Sequence, residues 1–311
     1  MTTEAVGPAA VPAMRRVAGN SQAAALLVVL SGLIVIWYLV AIPVNGAQLE
    51  DLYARIDPDR SFSFEERLTA TWDSNRPMLP TPDLIVADFL ESATASSITS
   101  RRNILYHVGV TAGATALGFA LGALLGVALS VGLVQLRTLD ASLMPWLIAS
   151  QTIPILAIAP MVVAVLGTIG LTGLAPKAAI SMYLCFFPVT VGMVKGLRAP
   201  DRLALDLMRT YSATGRDVLF KLRFPCAMPY LFASLKVAIA LGLVGTMVAE
   251  LSTGGQAGLG GRLLTASYNG DMIHMWTALV TSSLLAVFLV FLVGRVERLL
   301  AAWAPATERK D

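Results

Sequence analysis

Residues 201–225 carry the pattern in this sequence that most clearly indicates a binding function. The segment, DRLALDLMRTYSATGRDVLFKLRFP, lies between two long apolar segments and contains five basic residues: Arg202, Arg209, Arg216, Lys221 and Arg223. Its apolar residues recur at steps of three and four, which predicts two short helices broken around residues 212–215. Such a helix could bind noncovalently, because an apolar stripe flanked by cations can pack into a groove on another protein.

Three interpretations of this segment compete. A solvated loop is the simplest, but such loops are usually short or flexible and lack a helical apolar period. An amphipathic helix lying on the lipid surface is the second, and a helix that docks onto a partner protein is the third. The excess of cations assigns the segment to the cytoplasm, because cytoplasmic loops of membrane proteins are enriched in Lys and Arg. We favour the docking helix.

Polar side chains inside apolar segments form a second set of candidates, since such residues are costly in a membrane and are often functional. We predict that Gln151, Thr152, Tyr183 and Glu250 line a translocation pathway. Other roles stay open: Gln151 could hydrogen-bond a kinked backbone, and Glu250 could brace the Gly-rich loop that follows it. Lys236 is expected to extend to the inner interface. The sequence predicts no catalytic residue and no metal site.

Composition indicates that these residues lie in or beside membrane helices. The chain is 56% hydrophobic and 14% charged, with a mean hydropathy of +0.71, whereas soluble domains carry about 25% charged residues. Apolar runs near 20 residues long indicate membrane helices rather than barrel strands. The net charge of +3 comes from cations beside the spans, so nucleic-acid binding is not expected. Cys185 and Cys226 are predicted to be small apolar packing residues.

Six spans are predicted, with both termini in the cytoplasm: 22–42, 107–134, 141–168, 174–197, 227–251 and 274–302. The first could instead be a signal peptide, but its apolar run is long, and Trp37 and Tyr38 near its end are typical interface anchors. The domain organisation that follows has five parts: a tail at 1–21, a first span at 22–42, an external insert at 43–106, a core at 107–302 with the basic helices at 201–223, and a tail at 303–311.

Local signals refine this organisation. Thr81, Pro82 and Asp83 are expected to start a short amphipathic helix along the membrane surface. Gly118 and Gly122, with Gly126 four residues further on, form a small-residue face, for which packing within the chain is favoured over a dimerisation role. Prolines in the third and fourth spans predict kinks.

The basic segment also resembles a known motif. Permease subunits of bacterial ABC importers of the binding-protein-dependent type carry Glu-Ala-Ala, three residues, Gly, nine residues and Ile-x-Leu-Pro. Here Asp206-Leu207-Met208 stand at Glu-Ala-Ala, Ser212 at the Gly, and Leu222 and Pro225 at the Ile and the Pro. Ser in place of Gly is expected to stiffen the turn, with Gly215 supplying the bend. The resemblance assigns ATPase coupling to the following residues: Asp206, Leu207, Met208, Arg209, Tyr211, Ser212, Ala213, Thr214, Gly215, Arg216, Leu222 and Pro225.

The flanking segments extend the resemblance over most of 78–302 and point to the branch that includes permeases for nitrate, taurine, alkanesulfonates, and pyrimidine or riboflavin precursors. It implies an all-α membrane protein of the type I importer fold, in the bacterial inner membrane. It also implies a second permease chain forming a homodimer, two ATPase subunits that bind ATP and Mg, and an extracytoplasmic solute-binding protein, with no cofactor on this chain. LSTGGQ at 251–256 is similar to an ATPase signature, but the sequence has no GxxxxGK[ST] phosphate loop. The alternative is a secondary transporter or channel without an ATPase.

Overall fold

The computed structural model describes residues 14–53, 62–73, 77–254 and 257–301, and the regular elements in these ranges are all helical. They are α1 Met14–Tyr53, α2 Phe64–Asp73, α3 Pro82–Thr94, α4 Ile104–Gln135, α5 Arg137–Ser150, α6 Ile155–Thr168, α7 Leu174–Leu197, α8 Arg202–Thr210, α9 Gly215–Asp217, a π-helix Val218–Arg223, α10 Phe224–Ser252, α11 Leu259–Tyr268 and α12 Met272–Ala301. The predicted all-α membrane fold is confirmed. The chain divides into two compact units between Ile85 and Val86.

The first unit consists of α1, α2 and the segment that follows them. Within α1, the stretch Ala24–Gln48 is long and apolar enough to cross a membrane, in agreement with the predicted first span. The Asn45 amide donates to the Leu79 carbonyl (3.1 Å) and its oxygen accepts from the Leu79 N–H (2.9 Å), while the Trp37 indole donates to the Pro80 carbonyl (3.1 Å). Helix α2 was not predicted.

The predicted amphipathic helix is present as α3, which begins at Pro82. Proline suits this position, because its missing N–H would have no partner in the first helical turn. Asn103 then ends the turn after α3 and caps α4: its oxygen accepts from the Leu105 N–H (2.9 Å), and its amide donates to the carbonyls of Ala93 (3.0 Å) and Ser96 (2.8 Å).

Helices α4 and α7 pack side by side through the small-residue face of α4. A Cβ built on Gly118 would lie 2.4 Å from the Ser181 Cβ, and one built on Gly122 would lie 2.6 Å from the Cys185 Cβ. The two helices run in the same direction, since residue numbers rise together along the contact. The prediction that these glycines serve packing within the chain is confirmed.

Helix α10 crosses α7 in the opposite direction, again through glycines. Gly192 approaches Ser234, and Gly242 approaches Cys185, each with less than 3 Å for an added Cβ. Buried apolar residues such as Met193 fill the space between these close approaches. Helices α4, α7 and α10 therefore form the densest part of the bundle. Helices α4, α7 and α12 begin at one end of the bundle, and α10 ends there. We call this the Gly-rich end.

Five helices are long and apolar enough to cross a membrane, or up to six spans if the bent pair α5 and α6 counts as one, among the described residues. The predicted third span, 141–168, corresponds to this pair: α5 and α6 meet at 98° across residues 151–154, a sharper bend than the predicted proline kink. Pro154 explains the break, since proline lacks an N–H and disfavours helical backbone in the residue before it. The other spans of the bundle agree with α4, α7, α10 and α12 to within three residues at each end.

Candidate coupling and translocation sites

Helix α8 exposes one apolar face. Leu203, Leu207 and Tyr211 lie four residues apart and are 77%, 56% and 77% exposed, although apolar side chains at this spacing normally face a core. Helix α8 packs closely against no other helix in the part of the chain that the structure describes. The charged side chains occupy another face, where Arg209 pairs with Asp206 at 2.9 Å. The predicted helix is present, and its apolar stripe has no cover within the described chain.

The turn after α8 is built around Ser212. Its φ is +51°, the left-handed conformation that favours glycine. The Ser212 N–H donates to the Arg209 carbonyl (2.8 Å) and the Ala213 N–H to the Met208 carbonyl (3.0 Å), the two bonds of a Schellman turn. The expectation that Gly215 supplies the bend is wrong: Ser212 makes the turn at the position of the motif glycine, and Gly215 begins α9.

Helix α9 starts with a capping box. The Asp217 N–H donates to the Thr214 hydroxyl (3.3 Å), and the Thr214 N–H donates to the Asp217 carboxylate (3.2 Å). Each side chain thus satisfies a backbone group at the helix start that would otherwise lack a partner. Lys221 pairs with Asp217 at 2.6 Å, one turn further on. The capping box thus defines where the second helix of the segment begins.

This second helix is not separate from the next span, contrary to the prediction of two short helices. Helix α9 continues through the π-helix Val218–Arg223 into α10, and the Phe224 N–H donates to the Leu219 carbonyl, five residues back. Pro225 gives a physical reason: it lacks an N–H and its ring would clash with the carbonyl four residues back, whereas a wider turn moves that carbonyl away. We call residues 202–225 the elbow.

Three of the predicted pathway residues lie at the break between α5 and α6. Gln151 and Thr152 are exposed there, and the Thr152 hydroxyl donates to the Ala149 carbonyl (2.8 Å). Tyr183 reaches the same place from α7, where its hydroxyl donates to the Ser150 carbonyl. Tyr183 therefore braces the end of α5 beside the two polar residues. Their role in a pathway stays a prediction.

Glu250 makes its contacts elsewhere, at the Gly-rich end. It is fully buried, pairs with Lys177 at 3.2 Å and accepts from the Thr111 hydroxyl at 2.9 Å. Sequence reasoning missed Lys177 and Thr111. Lys177 could have been found from the sequence, because it is a cation three residues inside the apolar run of the fourth span. The role of Glu250 in a pathway also stays a prediction.

Lys236 has a partner that the sequence did not indicate: Glu297 of α12, at 2.5 Å. Among the described residues, no group of three or more His, Cys, Asp or Glu side chains could hold a metal ion.

Comparisons with known proteins agree with this geometry. The family model described as the inner membrane component of binding-protein-dependent transport systems matches residues 118–302, more than half of the chain. The riboflavin transport system permease protein of Chloroflexus aurantiacus is 31% identical over 226 residues, which cover 73% of this chain and 80% of that protein.

Two further relatives match over shorter stretches. The formylaminopyrimidine transport permease protein of Halalkalibacterium halodurans is 30% identical over 53% of this chain and 64% of its own length. The nitrate import permease protein of Leptolyngbya laminosa is 26% identical over 38% of this chain and 43% of its own length. These matches confirm the predicted family and its branch. The chain belongs to the binding-protein-dependent ABC permease family and is the transmembrane, noncatalytic subunit of an importer of small solutes, in which a separate ATPase hydrolyses ATP.

Proposed function

We propose that two copies of this chain form the pathway for a small polar organic or anionic solute, which an extracytoplasmic binding protein delivers. The names of the relatives support this range of solutes, since they include riboflavin, formylaminopyrimidine and nitrate. Two ATPase subunits, which bind ATP and Mg, complete the proposed assembly. Gln151, Thr152, Tyr183 and Glu250 are the proposed pathway residues.

The proposed orientation has both termini and the elbow in the cytoplasm of a bacterium, with the protein in the inner membrane. Cations support it: Arg198 follows α7, and Arg295 and Arg298 lie near the end of α12. All three lie at the same end of the bundle as the elbow. Cytoplasmic ends of membrane helices are enriched in Lys and Arg, so the Gly-rich end faces outward.

The observation that carries the proposal is the uncovered apolar face of α8. Leu207 and Tyr211 would fill a groove on the ATPase, and the continuous helix from α9 into α10 would carry a rigid-body movement from that groove to the spans. Exposed apolar stripes on helices are a common docking mode for partner proteins. The elbow is thus the proposed site where ATP binding is coupled to transport.

The test compares Leu207→Asp and Tyr211→Asp with Arg202→Gln on the charged face of α8. The complete transporter is purified and reconstituted with its binding protein and solute. We expect each acidic variant to insert normally and to lose solute-stimulated ATP hydrolysis, because a buried, unpaired carboxylate opposes docking. Arg202→Gln should keep the stimulation. Deletion of 206–217 should abolish it, and retained stimulation in the deletion variant would refute the proposal.

A further inference from the structure

Three membrane helices hold residues 257–260, the end of the connection after α10 and the first two residues of α11, at the Gly-rich end. We call residues 257–260 the loop. The Leu259 N–H donates to the Thr111 hydroxyl of α4 (2.9 Å), and the Gly260 N–H donates to the Glu250 carboxylate (2.9 Å). Lys177 of α7 donates to the Ala257 carbonyl (2.6 Å) as well as to Glu250 (3.2 Å). The loop backbone is thus bonded to α4, α7 and α10 at once. We call Thr111, Lys177 and Glu250 the latch.

Two glycines, Gly258 and Gly260, allow the loop backbone to lie close to Glu250. Gly258 has a φ of +109°, and a Cβ built there would lie 1.9 Å from a Glu250 carboxylate oxygen. A Cβ on Gly260 would lie 2.6 Å from the Met247 carbonyl and 2.9 Å from the Glu250 Cβ. The backbone therefore passes directly over the carboxylate, where only glycine fits. This independent observation indicates that the loop is built to dock onto Glu250.

His107 adds a contact on the far side of the loop. Its Nδ1 lies 3.1 Å from the Gly258 carbonyl oxygen and 3.0 Å from the Gly258 nitrogen, and its Nε2 lies 2.9 Å from the Arg101 carbonyl oxygen. The ring thereby connects the docked loop to the turn before α4. Beyond the loop, Arg262 of α11 donates to the Ser92 hydroxyl (2.7 Å). Hydrogen bonds therefore connect the loop with the turn before α4, and α11 with α3.

The charges of the latch depend on each other. The Lys177 and Glu250 side chains are 5% and 0% exposed, so neither charge is solvated when the other is absent. Removing one partner of a buried pair is strongly destabilising, whereas removing both is often tolerated. Lys177 lies on α7 and Glu250 on α10, so the ion pair and the bond from Lys177 to the Ala257 carbonyl connect both helices with the loop. The latch thus makes the loop position depend on the arrangement of the helices.

We propose that Thr111, Lys177 and Glu250 are positioning residues for transport: they hold residues 257–260 at the outward-facing end of the bundle, and uptake of solute requires that these residues be held there. The inference rests on the proposed orientation of the chain. Glu250 then acts on the solute through the loop, because its carboxylate oxygens are occupied by Thr111, Lys177 and Gly260.

The experiment uses the complete transporter in vesicles, with Cys185 and Cys226 replaced by Ser and a reporter cysteine introduced by Ala257→Cys. A membrane-impermeant maleimide measures the accessibility of the loop, and solute uptake is measured in parallel. The variants are Thr111→Val, Thr111→Ser, Lys177→Met, Glu250→Gln and the double variant Lys177→Met with Glu250→Gln. Ser267→Cys on the exposed side of α11 is the labelling control.

We expect Lys177→Met and Glu250→Gln to increase the labelling rate at position 257 by about tenfold or more and to lower uptake. The reason is that each variant leaves one buried charge without its partner, which strongly destabilises the docked loop. The double variant should recover part of both. Thr111→Val should resemble the single charge variants, while Thr111→Ser keeps the hydroxyl and should resemble the original chain. Labelling at position 267 should stay constant.

Two outcomes would overturn the latch: single variants that label and transport like the original chain, or a double variant no better than the worse single variant. Loss of the protein from the membrane in Lys177→Met leaves Thr111→Val and Thr111→Ser as the deciding pair. Thr111→Val removes the hydroxyl at almost unchanged volume, whereas Thr111→Ser keeps the hydroxyl and removes only the methyl group. The labelling rate requires no transport. If labelling changes as expected while the original chain shows no ATP-dependent uptake, the proposed function fails and the latch stands.

Discussion

At the residue scale, Ser212 keeps the backbone conformation of the motif glycine although its residue type differs. The Schellman turn after α8 needs one left-handed residue, and Ser212 adopts that conformation with a φ of +51°. A side chain in this region costs about 1–2 kcal/mol relative to ordinary backbone. The elbow therefore carries local strain that glycine would relieve.

Ser212→Gly is expected to stabilise the turn by about 1 kcal/mol, which is about a fivefold change in the opening equilibrium. Hydrogen exchange of the Ala213 amide, which bonds to the Met208 carbonyl, should slow accordingly. Gly215→Ala is the matched control: nothing lies within 4 Å of a Cβ there, so the turn should be unaffected. Faster exchange in Ser212→Gly, or disruption by Gly215→Ala, would contradict this assignment of the bend.

At the element scale, close helix packing depends on which glycines face a neighbour. On α4, a Cβ on Gly122 would lie 2.6 Å from the Cys185 Cβ and 2.9 Å from the Met182 carbonyl, while Gly113 on the same helix has nothing within 4 Å. The same substitution should thus have opposite effects at two positions of one helix.

Gly122→Ala is expected to destabilise the protein by about 1–3 kcal/mol, because backbone and packed side chains must shift. Gly113→Ala should be neutral or stabilising by about 0.5–1 kcal/mol, since alanine favours the helix and has room. Thermal unfolding of the purified chain in detergent measures both. Equal effects at the two positions would show that α4 and α7 do not meet along this face.

The helices themselves were predictable from sequence because long apolar runs and periodic stripes are local signals. The kink predicted in the third span is present as a bend of 98°. The sequence shows that Pro154 permits a bend, but it does not give the angle. Helix α11 was missed inside a Gly-rich stretch because its glycines serve contact with Glu250 rather than flexibility. The partners Lys177 and Thr111 lie 73 and 139 residues from Glu250, so only folding brings them together.

At the scale of the whole molecule, the elbow and the bundle are joined by one helix. The π-helix Val218–Arg223 contains an extra residue relative to an α-helix, so it sets the direction in which α8 and α9 point from α10. Each residue of an α-helix turns the chain by about 100°. Loss of the π-turn would therefore rotate the elbow by about that angle without unfolding either part.

Pro225→Ala tests this coupling of elbow and bundle. Alanine restores an N–H that can bond to the Lys221 carbonyl, so the π-turn is expected to close into an α-helix and misdirect the apolar stripe. Pro229→Ala is the matched control, because Pro229 lies inside α10, past the π-turn. Pro225→Ala should insert and fold, lose solute-stimulated ATP hydrolysis, and change the spin-label distance from position 207 to the exposed position 191 of α7. Pro229→Ala should change neither. An unchanged distance with lost stimulation would mean that Pro225 acts on the ATPase contact itself rather than on the direction of the elbow.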